Sequence, residues 1–256
     1  MPRVAIVGYG AVGKGMHELF PDAVLYDEPL GIGSREAVDG CAVAFIAVPT
    51  PAGEDGRCDV SIVEQTVSWI GCDYIVIRST VEVGTTARLR EQTGKRIVFQ
   101  PEYGPAETPD HPFKDLRDVR WAILGGDRAD TRWVANLYQR IFDSTIVIHQ
   151  TTSETAELCK YMENAYLAMK VAFSNEFYDL AETAGVDYHE LRELWLLDPR
   201  INRSHTWVYP DDRGFGGRCL PKDLQALTSF AQAQGRHPAV LLNAIRDSNA
   251  EVRGRE

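Results

Sequence analysis

The chain has 256 residues, 44 % hydrophobic and 25 % charged, a globular composition with room for one large domain or two ordinary ones. Its formal net charge of -10 argues against a general binder of nucleic acid or of anionic membranes, and no apolar run approaches the ~20 residues of a membrane helix. The N-terminus enters a strand pattern without a charged-then-apolar leader, so a cytoplasmic protein is expected.

Residues 2–7 form a short apolar run that opens into Gly8-Tyr9-Gly10-Ala11-Val12-Gly13, a helical pattern to about Phe20, and a second apolar run at 23–26 that ends on Asp27. A strand, a glycine turn, a helix and an acid at the next strand end are the context of a dinucleotide fingerprint. Gly8, Gly10, Ala11, Val12 and Gly13 are therefore expected against a pyrophosphate, which the helix N-terminus attracts. Asp27 would accept hydrogen bonds from a ribose diol and repel a 2′-phosphate, favouring NAD over NADP. The bland alternative is a tight strand-to-helix turn that binds no nucleotide.

Apolar runs at 42–48, 74–77 and 96–99 alternate with helical patterns at 60–70 and 84–93. Fully buried strands interleaved with helices imply an α/β fold of the Rossmann, doubly wound type with a mainly parallel sheet. Ligands of such sheets sit at the carboxyl ends of the strands. That edge receives Pro49, Thr80 and Glu102. Pro49 is a cofactor candidate or simply a strand-end turn; Thr80 and Glu102 are better candidates because they are polar. Glu102 and Glu107 lie close together in a Gly/Pro loop, where one could order a water or a lysine, or both could belong to a solvated acidic loop. A strand at 121–124, a helix at 128–141 and a last strand at 145–148 complete a first domain, residues 1–150.

The second domain, residues 151–256, is expected to be all-α. Thr151-Thr152-Ser153-Glu154 reads as a capping box with Thr151 as N-cap, and a helical pattern of about thirty residues runs to Gly185. So long a helix is expected to pack against a second copy in a homodimer. Lys160 and Asn164 share one of its faces, although a solvated surface lysine is the plain alternative. A second box, Asp187 to Glu190, opens another helix, and two more follow at 221–233 and 238–251.

The five cysteines are odd in number and none stand at zinc-ligand spacing, so no disulfide framework and no metal site are expected. Cys219 alone challenges the default of a buried reduced thiol. It follows the glycine run Gly214-Phe215-Gly216-Gly217, lies between Arg218 and Lys222, and precedes a helix whose first turn suits Pro221. A nearby cation or helix N-terminus lowers a thiol's pKa and makes it a nucleophile.

These residues resemble the UDP-glucose/GDP-mannose dehydrogenase family. The glycine turn at 8–13, Ser79-Thr80-Val81, Pro101-Glu102 with Glu107, 156–160 with Asn164, 198–201 and the run 214–223 match in order along nearly the whole chain. The resemblance implies NAD-dependent four-electron oxidation of a nucleotide sugar's primary alcohol to a carboxylate. Cys219 would trap the aldehyde as a thiohemiacetal and carry the thioester. Lys160 would stabilise the oxyanion with Asn164 as its helper, and Asp223 would activate or position water. Thr80 and Glu102 would surround the water and the lysine, and Lys222 would be the cation beside the cysteine. Glu107, Lys160, Asn164, Arg200 and Gly216 would meet the substrate. Two departures stand out. Glu102 and Glu107 are one residue further apart than in the family, and the chain stops where a second Rossmann-like, UDP-binding domain would begin. A two-electron hydroxyacid-type dehydrogenase, with no use for Cys219, and a non-catalytic NAD-binding module are the alternatives.

Overall fold

The structure is a computed structural model and describes residues 1–103, 115–142, 145–235 and 239–254. In chain order the first half forms β1 (Val4–Val7), α1 (Ala11–Leu19), β2 (Val24–Tyr26), α2 (Arg35–Asp39), β3 (Val43–Ile46), α3 (Ser61–Trp69), β4 (Tyr74–Ile77), α4 (Thr85–Thr93), β5 (Arg96–Phe99), β6 (Trp121–Gly125), α5 (Arg128–Tyr138) and β7 (Val147–Thr151). The strands lie in the order β2-β1-β3-β4-β5-β6-β7. Neighbours are parallel except β5 and β6, which meet antiparallel at Phe99 and Gly125. Alternate side chains feed two cores. Val4 and Ile6 join Phe45 on the face covered by Met16 and Tyr138; Ala5 and Val7 join Ile46 on the face covered by Val63 and Leu89. A sheet with helices on both faces is the doubly wound architecture that the continuous apolar strands imply.

The second half is helical: α6 (Ser153–Ala184), α7 (Tyr188–Trp195), α8 (Leu220–Ala233) and α9 (Val240–Arg253). At 32 residues, α6 is roughly 48 Å long at 1.5 Å per residue. Ala165, Ala168 and Ala172 on α6 are small enough for Phe215, Leu224 and Ile245 to pack closely against them. The chain divides into two compact units, one of Met1–Pro51 with Cys58–Lys160 and one of Ala52–Arg57 with Tyr161–Glu256. The break falls inside α6.

Two local expectations change, and one short helix carries no signal in the sequence. The last strand is Val147–Thr151, not 145–148, because five residues pair in register with Trp121–Gly125. At the sheet edge its polar His149 and Gln150 cost little. Thr151 is thus strand, and the cap of α6 is Thr152, whose Oγ1 accepts the Thr155 N–H at 3.2 Å. Helix α2 is five residues long, too short to display a period, and rests on the Ser34 cap. The stop at Gly185 is as expected: its φ is +69°, and the Val186 N–H returns to the Ala181 carbonyl at 3.0 Å.

Candidate active site

Gly8 ends β1 with φ +94°, and a Cβ there would meet the Ala47 carbonyl oxygen at 2.5 Å. Ala47 follows β3, so the turn sits where the strand order reverses, the crevice in which such sheets hold ligands. A Cβ on Gly13 would lie 2.0 Å from the Gly8 carbonyl oxygen, so only glycine lets α1 start this close to the turn. Gly10 is the N-cap of α1, gives it no side-chain cap, and has open space where a Cβ would be. Gly10 and Ala11 are exposed and Val12 is half-buried. An uncapped helix N-terminus with accessible backbone is the donor set a pyrophosphate needs. The Asp27 carboxylate accepts the Tyr9 N–H at 2.7 Å and the Leu30 N–H at 3.1 Å, one on each oxygen. Each oxygen retains a lone pair for a ribose hydroxyl. The turn therefore fits a dinucleotide. Pro49 is exposed on the same edge, and Thr80 is half-buried with its carbonyl accepting the Cys58 thiol at 3.4 Å.

Also in the first unit, Arg78 closes β4 at 4 % exposure and pairs with the Glu102 carboxylate. Its Nη1 reaches the carbonyls of Gln100 and Pro101 at 3.5 and 3.4 Å. This partner of Glu102 was not read from the sequence. Arg78, Glu102, Tyr103 and Tyr138 help line a cavity of about 30 Å³, enough for one water. The Lys160 ammonium lies 5.0 Å from the Tyr103 ring centroid, a cation–π distance, and the Tyr103 hydroxyl donates to the Cys159 thiol at 3.5 Å. Glu107 lies outside the described residues.

One turn before Lys160, Glu157 is completely buried. Its carboxylate accepts the Gly84 N–H at 2.6 Å and the Thr86 N–H at 2.9 Å, capping α4, which has no side-chain cap of its own. Burial raises its pKa to about 7 against these hydrogen bonds.

In the second unit Cys219 is the N-cap of α8, with Pro221 in the first turn as expected. It is exposed, whereas Cys41, Cys58 and Cys72 are buried and Cys159 is half-buried. Burial raises the Cys41 thiol and pushes Cys72 up to about 12, leaving both inert. One helical turn after Cys219, Asp223 is 2 % exposed. Its Oδ2 accepts the Asn164 amide at 2.5 Å, and its Oδ1 faces the Lys222 ammonium at 2.6 Å. Lys222 thus neutralises Asp223, a buried charge that needs such partners. Asn164 is itself 5 % exposed and shares the Lys160 face of α6. Arg200 is not gathered into this cluster: at 86 % side-chain exposure it forks onto Asp198 in its own loop. Gly216 is exposed, and a Cβ on it would meet Arg253 Nη1 at 3.3 Å. Among the described residues no group of three or more His, Cys, Asp or Glu could hold a metal ion.

The class defined by this fold and site is a Rossmann-type dinucleotide-binding protein with a helical unit that presents a cysteine at a helix N-terminus. Residues 28–146 match the NAD binding domain of the UDP-glucose/GDP-mannose dehydrogenase family, and residues 154–251 match its central domain. The chain is 32 % identical to a UDP-glucose 6-dehydrogenase of Rhizobium meliloti over 238 residues, 87 % of this chain and 54 % of the relative. It is 29 % identical to a GDP-mannose 6-dehydrogenase of Azotobacter vinelandii, over 94 % of this chain and 58 % of the relative. A solved UDP-glucose dehydrogenase from the archaeon Pyrobaculum islandicum superposes with a TM-score of 0.81 at 25 % identity, covering 98 % of this chain and 68 % of that one. The chain belongs to the UDP-glucose/GDP-mannose dehydrogenase family and carries that family's NAD-binding domain. It spans about half the length of the curated relatives it matches.

Proposed function

We propose that this chain carries the NAD-binding and cysteine-bearing parts of a nucleotide-sugar 6-dehydrogenase, a UDP-glucose-like primary alcohol being oxidised to its carboxylate. The observation that carries the reading is Cys219, the exposed thiol of the chain, at the N-terminus of α8 with the paired Asp223 one turn below it. NAD, when bound, accepts the hydride of each of the two oxidations. Gly8, Gly10, Ala11, Val12 and Gly13 would hold its pyrophosphate and Asp27 its ribose, with Pro49 and Thr80 on the same edge.

The chemistry of the chain's own residues follows from their types. The helix N-terminus favours the Cys219 thiolate. The thiolate adds to the aldehyde carbon; a C–S bond forms, and the carbonyl oxygen becomes an alkoxide that takes up a proton as the thiohemiacetal. Lys160 is the cation offered to that oxygen. Loss of a second hydride and a proton leaves a thioester on Cys219. Water then adds to the thioester carbon, the C–S bond breaks, and carboxylate and free thiol result. Asp223, held by Asn164, orients that water. Glu102 with Thr80 belongs near the same chemistry, while Glu107, Arg200 and Gly216 are substrate contacts.

Two further parts of the reading are a homodimer through α6, supported by an exposed apolar stripe along it, and a cytoplasmic setting, where an exposed thiol stays reduced. No described helix is long and apolar enough to cross a membrane.

The test is product stoichiometry across a panel of nucleotide sugars. Two NADH per sugar acid are expected from the wild type, and acid formation is expected to fall by about 10³-fold or more in Cys219→Ser. Near-normal turnover of Cys219→Ser, with one NADH per substrate, would replace this reading by a two-electron dehydrogenase. No NADH from any substrate would leave a binding module.

A further inference from the structure

The glycine run before Cys219 is held from two helices by asparagines that its own chemistry does not explain. From α6, Asn175, 1 % exposed, accepts the Arg213 Nε–H at 3.1 Å and the Gly214 N–H at 3.2 Å on its Oδ1. Its amide nitrogen donates to the Val171 carbonyl at 2.9 Å, which fixes which end faces the run. The Asn175 carbonyl also accepts Arg213 Nη2 at 2.9 Å, and Arg213 Nη1 meets Asp179 at 2.6 Å. From α9, Asn249 grips one residue at both backbone atoms: its Oδ1 accepts the Phe215 N–H at 2.7 Å, and its Nδ2 donates to the Phe215 carbonyl at 3.0 Å. Gly214 lies between the two amides with φ +75°, and a Cβ there would meet Asn249 Oδ1 at 2.6 Å. Phe215 is buried in the helical core, while Gly216, Gly217 and Arg218 are exposed up to the N-cap. Beyond Phe215 the Cβ direction of Gly217 meets open space.

We propose that Asn175 and Asn249 are positioning residues for Cys219, clamping the backbone of residues 213–215 to α6 and α9 so that only three exposed residues separate a fixed point from the thiol. The proposal rests on Cys219 as the nucleophile, but the clamp itself can be read without turnover. At position 249 this geometry requires an amide. Asn249 must accept and donate at once, which neither Asp nor Leu can do. Asn175 uses only its oxygen toward the run, so Asp can replace it there while losing the bond to Val171.

The test is the alkylation of Cys219 by iodoacetamide in the full chain, followed peptide by peptide by mass spectrometry from pH 6 to 9, with melting by circular dichroism alongside. In Asn249→Ala and Asn249→Asp the Cys219 rate at pH 7 is expected to fall at least fivefold, and its pH midpoint to rise, because the thiolate loses its fixed seat at the α8 N-terminus. Asn175→Leu should behave alike, and Asn175→Asp should stay within twofold of wild type. With a turned-over nucleotide sugar, kcat should fall in the same order while the KM for NAD holds. Wild-type alkylation rates and midpoints in both Asn249 variants would overturn the clamp. If Asn249→Ala does not fold, Asn249→Asp and Asn175→Leu give the same readout. A wild type without turnover removes the dehydrogenase reading and leaves the alkylation result to decide the clamp.

Discussion

Asp223 is a carboxylate with almost no access to water, and its two neighbours are of different kinds. The Asn164 amide can only donate to it, and the Lys222 ammonium cancels its charge. Removing one partner of a buried pair costs more than the pair contributes, because the other charge is left behind. Asp223→Asn keeps the volume but takes the negative charge away from the Lys222 ammonium and turns one amide toward another. In the proposed reaction, loss of its charge removes the group that would orient water toward the thioester, and the two hydride transfers would not call on it. Asp223→Asn should therefore give a rapid burst of NADH, followed by turnover slowed about 10²-fold. Rapid quench with mass spectrometry should find the acylated Cys219 peptide. A variant that loses the burst along with turnover would assign Asp223 to an earlier step.

Helix ends carry part of the candidate site, alongside Lys160 and Asn164 inside α6. Helices α1 and α8 begin without a side-chain cap at Gly10 and Cys219, and each leaves its N-terminal N–H groups to what approaches it. Helix α4 has the same need at Gly84 but buries it, and Glu157 supplies the acceptors. Full burial raises Glu157 from 4.5 to about 7, so the folded state holds its proton where the unfolded state has released it. Its contribution to stability is complete below about pH 4.5 and is lost as pH rises through about 7. Glutamine does not titrate; its amide nitrogen cannot accept one of the two backbone N–H groups, which is a fixed cost at every pH. Relative to wild type, Glu157→Gln should gain stability between pH 5 and 8, by at most about 3 kcal/mol, read from urea midpoints at both values. A difference that does not change with pH would contradict this.

The sequence disclosed what is local: the strand, turn and helix of residues 4–27 and the run 214–223 carry their signals within a few residues. Glu157 could not be read in the same way, since its partners lie 71 and 73 residues away, nor could Arg78 with Glu102, 24 apart, or Asn249 with Phe215, 34 apart. Strand β7 was displaced for a related reason: its register is set by β6, not by its own apolar residues.

At the scale of the whole molecule, the break between the two compact units falls inside the long helix, and its part in the second unit bears exposed apolar side chains. Met162, Tyr166, Phe173, Phe177 and Leu180 are between 40 % and 72 % exposed. At 100° per residue all five fall within about 60° of one another, a single stripe on the helix. The Phe173 and Phe177 rings meet tilted at 4.6 Å between centroids, and Phe173 also meets Trp195 at 5.7 Å, so the stripe is preformed. Scattered apolar residues on a surface need no explanation, but a contiguous aromatic stripe of this kind marks an interface. Because a stripe along one helix is complementary to itself, a two-fold pairing of copies would cover it. At a net charge of -10, two copies repel unless such a surface holds them. The wild type should therefore sediment as a dimer at micromolar concentration. Phe177→Glu places a charge within the stripe and should raise the dimer dissociation constant at least 100-fold, about 3 kcal/mol, while leaving the far-UV circular dichroism unchanged. The same charge at Val147, an exposed residue of β7 outside the stripe, is the control and should leave the dimer intact. A wild type that sediments as a monomer, or a Phe177→Glu variant that dimerises as well as the control, would rule out the pairing through α6.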